Sequence, residues 1–183
     1  MGHIISHEGV KVDPNKIKAF KELKIPTTIK LLQGFLGLTR YYRKFVKNYG
    51  QITTPLTTLL KKDALSWTTE ATKSFEQFKD EMYKAPVLDT PDFTKTFIVE
   101  CDTSKNGIGV VLMQYGRPFT FESRPIKGNN LHKPIYVKEM LAILHVLKQW
   151  RPYLVGIHFK VKPDHDSIKY FLKQGLSLEE QQK

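Results

Sequence analysis

Apolar residues recur at spacings of three and four along most of the first 90 residues and again in one long segment near residue 140. A period near 3.6 residues predicts amphipathic helices. The predicted helices cover residues 12–26, 27–50, 51–63, 68–86 and 132–154. Asp13 and Pro14 are suited to begin the first helix, and Gly50 is suited to end the second. Gly34 and Gly37 lower the helix propensity of the second and leave room for a close contact with another helix.

The pattern changes after residue 96, where short runs rich in Val, Ile and Phe alternate with polar turns. Such runs predict strands, and the short turns between the first three favour an antiparallel meander. The predicted strands cover residues 97–102, 107–114, 118–124 and 158–164, and a short helix over residues 167–174 follows them. The predicted fold class is therefore α+β or α/β: a small helical part, then a βββαβα domain with a mixed sheet.

Three acidic residues lie near the ends of these predicted elements. Asp102 ends the first strand, Glu139 lies early in the long helix, and Asp164 ends the fourth strand. If the long helix is a crossover between parallel strands, both aspartates fall at one sheet edge, where α/β sheets bind ligands. Clustered carboxylates repel one another unless a cation joins them, and oxygen ligands favour Mg²⁺ or Mn²⁺. The alternative is three unrelated surface acids, which are common in any protein.

The charge distribution points to an anionic partner. The chain carries a net charge of +11, and residues 1–65 hold 12 Lys and Arg against 4 Asp and Glu. A basic excess attracts polyanions, among which nucleic acid is the commonest, although it also serves as a solubilising surface. There is no apolar run of 18 residues, so no membrane partner is expected, and the single cysteine fits a reducing intracellular compartment, cytoplasm or nucleus.

Six segments of the chain, taken in order, form a recognisable series. They are GHIISHEGVKVDPNKI, TTIKLLQGFLGLTRYYRKFVKNY, PLTTLLKKDALSWTTEATKSFEQFK, APVLDTPDFTKTFIVECDTSKNGIGVVLMQ, YVKEMLAILHVLKQWRPYLVG and DHDSIKYFL. In this order they resemble the reverse transcriptase of gypsy-type LTR retrotransposons, from the end of the palm into the RNase H domain. The resemblance covers nearly the whole chain, and the order of the segments makes it more specific than any one motif.

The resemblance implies three regions and an activity. Residues 1–14 correspond to the end of the palm with its primer grip, residues 15–90 to the thumb and connector, and residues 91–183 to a truncated RNase H-like domain. The implied activity is hydrolysis of the RNA strand of an RNA–DNA hybrid by two metal ions, Mg²⁺ or Mn²⁺, with no small-molecule cofactor. The family's first catalytic Asp falls on Asp102, its Glu on Glu139 and its second Asp on Asp164.

The chain also departs from the family's motifs. Cys101 and Thr103 flank the first Asp where the family has T-D-A-S, Val137 replaces an acid before Glu139, and Pro163 and Asp166 alter the third motif. No Y-x-D-D polymerase motif is present, and no acid after Asp164 lies in the context of the family's fourth carboxylate. These absences predict a fragment or decayed copy that cannot polymerise DNA, with the missing polymerase part of the polyprotein as a possible partner.

Two hypotheses follow, with a third that nothing in the sequence favours specifically. The first is an RNase H-type endonuclease; the second is an inactive retroelement remnant that only binds nucleic acid; the third is an interaction module recruited by a host. Basic and aromatic residues of the second predicted helix are expected to hold phosphates and pack on sugars or bases. The expected nucleic-acid contacts are Arg40, Tyr41, Arg43, Lys44, Lys47, Ser104 and Asn106.

Overall fold

The computed structural model describes residues 2–61, 65–103 and 107–163. It begins with a hairpin of two strands, β1 (His3–Ser6) and β2 (Gly9–Val12), paired antiparallel. Val10 of this hairpin forms an isolated bridge with Leu88, which ties the start of the chain to the link before the sheet. Each strand has only four residues, too few for a period of two to stand out, and the hairpin was not predicted from the sequence.

Four helices follow, and side-chain caps begin three of them. The four helices are α1 (Pro14–Glu22), α2 (Ile29–Tyr41), α3 (Tyr49–Leu59) and α4 (Thr69–Tyr83). The Asp13 carboxylate accepts a hydrogen bond from the Asn15 N–H at 2.9 Å, as predicted for the cap of α1. Thr28 and Thr68 cap α2 and α4 in the same way, each accepting from the N–H three residues on. In contrast, α3 starts at Asn48 without a side-chain cap hydrogen bond.

The predicted helix over residues 27–50 is wrong beyond Tyr41. The chain forms a separate 3₁₀ turn at Arg43–Phe45 and then adopts a left-handed conformation at Asn48, with φ 57°. Gly50, predicted to end a helix, instead lies inside α3. Its N–H donates to Ser123 Oγ at 2.7 Å, so the third strand of the sheet approaches the helix at this glycine. Phe45 and Val46 are both buried in the core of the helical part, so tertiary packing rather than helical periodicity sets the backbone here.

The predicted role of Gly34 and Gly37 as a close helix contact is also wrong. Both are exposed, and apart from their chain neighbours and the backbone of α2 itself, no atom of the described residues lies within 4 Å of the position that a Cβ would occupy on either. The apolar side of α2 instead carries Leu32 and Phe35 into the core.

The predicted meander and its parallel fourth strand are confirmed. The sheet contains β3 (Phe97–Thr103), β4 (Gly107–Gln114), β5 (Arg117–Pro125) and β6 (Phe159–Lys162), in the spatial order β5-β4-β3-β6. β3 and β6 are parallel, with Phe97 opposite Phe159 and Glu100 opposite Lys162. A 3₁₀ turn (Gly128–His132), α5 (Ile135–Gln149) and the short α6 (Arg151–Leu154) make the crossover, and α5 packs on β3 and β4.

Two apolar clusters form the core, and a tryptophan lies in or against each of them. One joins α1–α4 with Val12 and Leu88, and Trp67 packs against it. The other lies between α5 and the sheet and includes Trp150. The 3₁₀ turn at Arg43–Phe45 and α3 pack on β5, so the helical part covers the sheet face opposite α5. No helix of the described residues is long and apolar enough to cross a membrane.

Candidate functional site

Asp102 lies one residue before the end of β3, the strand between β4 and β6. Burial alternates along β3: Val99 and Cys101 face α5, while Glu100 and Asp102 lie on the other face. Each of these two acids has a lysine partner. Lys47 Nζ lies 3.4 Å from Asp102 Oδ2, and Lys162 Nζ lies 3.0 Å from Glu100 Oε2. About half of the Asp102 side chain is exposed, so it is open to a ligand from solvent.

Glu139 occupies the second turn of α5 and approaches β3 from the other face. Its side chain is 1% exposed, which is unusual for a carboxylate. Its charge reaches Cys101: burial, with the negative charges of Glu139 and Glu100, raises the pKa of the Cys101 thiol to about 12. The two predicted carboxylates thus lie near the end of β3, Asp102 on one face of the sheet and Glu139 on the other.

The carboxylate oxygens of Asp102 and Glu139 are ligands of the kind that a hard divalent cation prefers, but the two side chains lie on opposite faces of β3. Within residues 2–61, 65–103 and 107–163 there is no group of three His, Cys, Asp or Glu side chains that could hold a metal ion. Asp164, the third predicted ligand, lies outside the described residues, as do Ser104 and Asn106. The three-carboxylate site and its two metal ions therefore stay a prediction.

The basic and aromatic residues predicted to contact nucleic acid lie in two separate places. Arg40 and Tyr41 end α2, and Arg43 and Lys44 belong to the following turn; these four line a cleft of about 380 Å³ between the helical part and the sheet. Lys47 lies elsewhere, beside Asp102 and Asn48. The opposite wall of the cleft is aromatic and was not predicted from the sequence; it includes Phe119, Phe121, Trp150 and Tyr153.

The charges in this cleft are only partly balanced. Arg43 lies 3.6 Å from Glu122, which also lies 3.9 Å from Nε2 of His145 on α5. No carboxylate of the described residues lies within 4 Å of the cationic groups of Arg40 or Lys44. Partial burial lowers the pKa of Lys44, so this ammonium loses part of its hydration in the free protein. These two cations are therefore available to an anion that enters the cleft.

Tyr41 is placed to present its ring and hydroxyl at this surface. It is about one third exposed, packs edge-on against the buried Tyr42 at 4.9 Å, and its hydroxyl lies 2.9 Å from Nδ1 of His3. The β1–β2 hairpin therefore fixes an aromatic side chain at the end of α2. The ion pair of Glu122 with Arg43 and the contact of His3 with Tyr41 left no local signal in the sequence, because each joins residues far apart along the chain.

Comparison with known proteins shows to which family the chain is similar. Residues 67–161 match the family model described as the RNase H-like domain found in reverse transcriptase. The chain is 40% identical over 172 residues to the retrovirus-related Pol polyprotein from transposon 297 of Drosophila melanogaster, covering 93% of this chain and 16% of that protein. It is 33% identical over 184 residues to the corresponding polyprotein from transposon gypsy of the same fly, covering 93% and 18%.

A solved structure shares the fold. The foamy viral protease-reverse transcriptase in complex with RNA/DNA hybrid matches with a TM-score of 0.82 at 21% identity, over 99% of this chain and 26% of that one. The chain thus spans less than a fifth of the length of these two transposon polyproteins.

Proposed function

Because the chain belongs to the family of RNase H-like domains found in reverse transcriptases, we propose that it binds RNA–DNA hybrid as part of a retroelement polyprotein and hydrolyses the RNA strand. Asp102, Glu139 and Asp164 are the proposed catalytic carboxylates. Residues 1–14, 15–90 and 91–183 are proposed as palm end, thumb with connector, and RNase H-like domain. The polymerase part of the polyprotein is the proposed protein partner.

One observation carries the catalytic half of the proposal: β3 and β6 are parallel, and Lys162 is paired with Glu100, two residues before Asp102. The chain therefore leaves β6 at the same sheet edge at which β3 ends, beside Asp102. The buried Glu139 on the crossover helix approaches the end of the same strand. This sheet edge is where α/β folds place their ligands.

Asp102, Glu139 and Asp164 would hold the divalent cations through their carboxylate oxygens. Bound there, Mg²⁺ would activate a water and stabilise the leaving oxygen of the phosphodiester. The chain's own residues would position the substrate: Arg40 and Lys44 would supply positive charge for phosphates, and Tyr41 would offer an aromatic face for a sugar or base.

The test is cleavage of an end-labelled RNA–DNA hybrid by purified protein with Mg²⁺ or Mn²⁺, beside Asp102→Asn. We expect the wild type to cut the RNA strand and the variant to lose at least about a hundredfold in rate, since an amide is a poor ligand for a shared cation. A DNA duplex of the same sequence serves as the uncut control. Cleavage no faster than that of the variant would overturn the catalytic half of the proposal.

Binding of nucleic acid without cleavage is the second candidate function, and one observation favours it: Asp102 already has a cationic partner in Lys47. The same assay decides between the candidates if hybrid binding is measured alongside cleavage at two salt concentrations. Binding that weakens steeply with salt but gives no product supports this candidate. Binding that is insensitive to salt and no tighter than that of a neutral protein would exclude both candidates.

A further inference from the structure

Lys47 belongs to the helical part of the chain but contacts Asp102 of the sheet. It lies between the 3₁₀ turn Arg43–Phe45 and the start of α3, and its ammonium lies 3.4 Å from Asp102. Its position is fixed by the next residue: Asn48 has left-handed backbone geometry, and its side-chain oxygen occupies the space that a Cβ on Gly109 would need. Gly109 is in turn the pairing partner of Asp102 across β3 and β4.

The local backbone geometry therefore positions this ion pair, but the pair is weak enough for Lys47 to exchange Asp102 for another anion. The side chains of Lys47 and Asp102 are 61% and 48% exposed, and exposed ion pairs of this kind contribute little to stability. A divalent cation at Asp102 would be repelled by a monovalent cation held 3.4 Å from the same carboxylate. A phosphate of bound nucleic acid, by contrast, offers Lys47 an alternative anion.

We propose that Lys47 is the counter-ion of Asp102 in the free protein and that a phosphate of bound hybrid draws it away, so that hybrid binding and divalent-cation binding favour each other. The inference rests on the proposed function, since it requires Asp102 to be a metal ligand. It assigns Lys47 the role of a counter-ion that competes with the cation. That role is distinct from the phosphate binding proposed for Arg40 and Lys44, which line a separate cleft. By linkage, the cation must strengthen hybrid binding by the same factor by which hybrid strengthens cation binding.

The first measurement is Mn²⁺ binding to the protein without nucleic acid, followed by electron paramagnetic resonance of free Mn²⁺. We expect Lys47→Met to bind Mn²⁺ about three- to tenfold more tightly than the wild type, because the competing charge is gone. Lys47→Arg, which keeps the charge, is expected to behave as the wild type. Lys73→Met, at an exposed position of α4, controls for the change in net charge.

The second measurement is the affinity for a hybrid with 2′-O-methyl RNA, which is not hydrolysed, with and without Mn²⁺ at constant ionic strength. Mn²⁺ is expected to tighten binding about three- to tenfold more in the wild type than in Lys47→Met. Asp102→Asn gives the background due to Mn²⁺ bound by the hybrid alone. Circular dichroism of each variant confirms that the fold is retained.

The outcomes separate this inference from the proposed function. If Asp102→Asn binds Mn²⁺ as well as the wild type does, the metal assignment and hence the catalytic proposal fail. If Asp102→Asn loses Mn²⁺ but Lys47→Met binds it no more tightly than the wild type, Lys47 is not a competitor and only this inference is overturned. An equal effect of Mn²⁺ on hybrid binding in the wild type and Lys47→Met also overturns it.

Discussion

Cys101 is a sensitive reporter for the carboxylates around it, because it is the only cysteine of the chain and lies next to Asp102. Burial first, then the negative charges of Glu139 and Glu100, raise its pKa from 9 to about 12. Only the thiolate reacts with disulfide reagents. At pH 8 the native protein should therefore react at least about a hundredfold more slowly than the same protein in urea, a difference that absorbance of the released thiol measures.

Glu139→Gln separates the two causes of this shift. Removal of the acid's charge should lower the pKa of Cys101 and speed the native reaction, while burial keeps it slower than in urea. Because the folded pKa is raised, the thiol favours the folded state fully below pH 9, and this contribution is lost as the pH rises from 9 to 12. Rapid stoichiometric reaction of the native wild type at pH 8 would contradict the burial of this thiol.

At the scale of elements, α2 carries two glycines that the fold does not need. Gly34 and Gly37 lie on its exposed side, and glycine in a helix interior costs about 0.5–1 kcal/mol relative to alanine. The double substitution Gly34→Ala/Gly37→Ala should therefore raise the free energy of unfolding by about 1–2 kcal/mol, measured by urea denaturation. If hybrid approaches this side of α2 closely, its binding should weaken by roughly fivefold, or about 1 kcal/mol.

Gln77→Ala, on the exposed side of α4, provides the matched control for helix propensity. It should change neither hybrid affinity nor, by more than a few tenths of a kcal/mol, stability. Hybrid binding that is unchanged in the stabilised double variant would place the nucleic acid on another side of α2.

The elements that the sequence predicted correctly are those whose signals are local. Asp13 and Pro14 mark the start of α1, and the strands 97–103 and 107–114 alternate strongly enough to be recognised alone. The break after Tyr41 was missed because the apolar stripe continues through Phe45 and Val46, which tertiary packing uses in a turn instead. In the candidate site, Asp102 and Glu139 stay predictions made from the resemblance, whereas the pairing of Lys47 with Asp102 had no local signal because it is a contact across 55 residues.

At the scale of the whole molecule, the helical part and the sheet meet at Gly50. A Cβ on this residue would lie 3.0 Å from the Ser123 carbonyl oxygen and 3.2 Å from the Arg124 Cα, backbone atoms that cannot move aside cheaply. Gly50→Ala should thus destabilise the protein by about 1–3 kcal/mol despite its gain in helix propensity. The sign is opposite to that expected for Gly34 and Gly37, although the chemical change is the same.

The two tryptophans show whether this contact couples the two parts, since Trp67 packs on the helical cluster and Trp150 lies in the cluster under the sheet. In the single-tryptophan variants Trp150→Phe and Trp67→Phe, urea unfolding followed by fluorescence reports each part separately. If the Gly50 contact makes them one cooperative unit, Gly50→Ala should lower both midpoints together.

Ser123→Ala removes only the 2.7 Å hydrogen bond to Gly50 and should cost about 0.5–1.5 kcal/mol. A Gly50→Ala protein as stable as the wild type would mean that the helical part is not held against the sheet at this point.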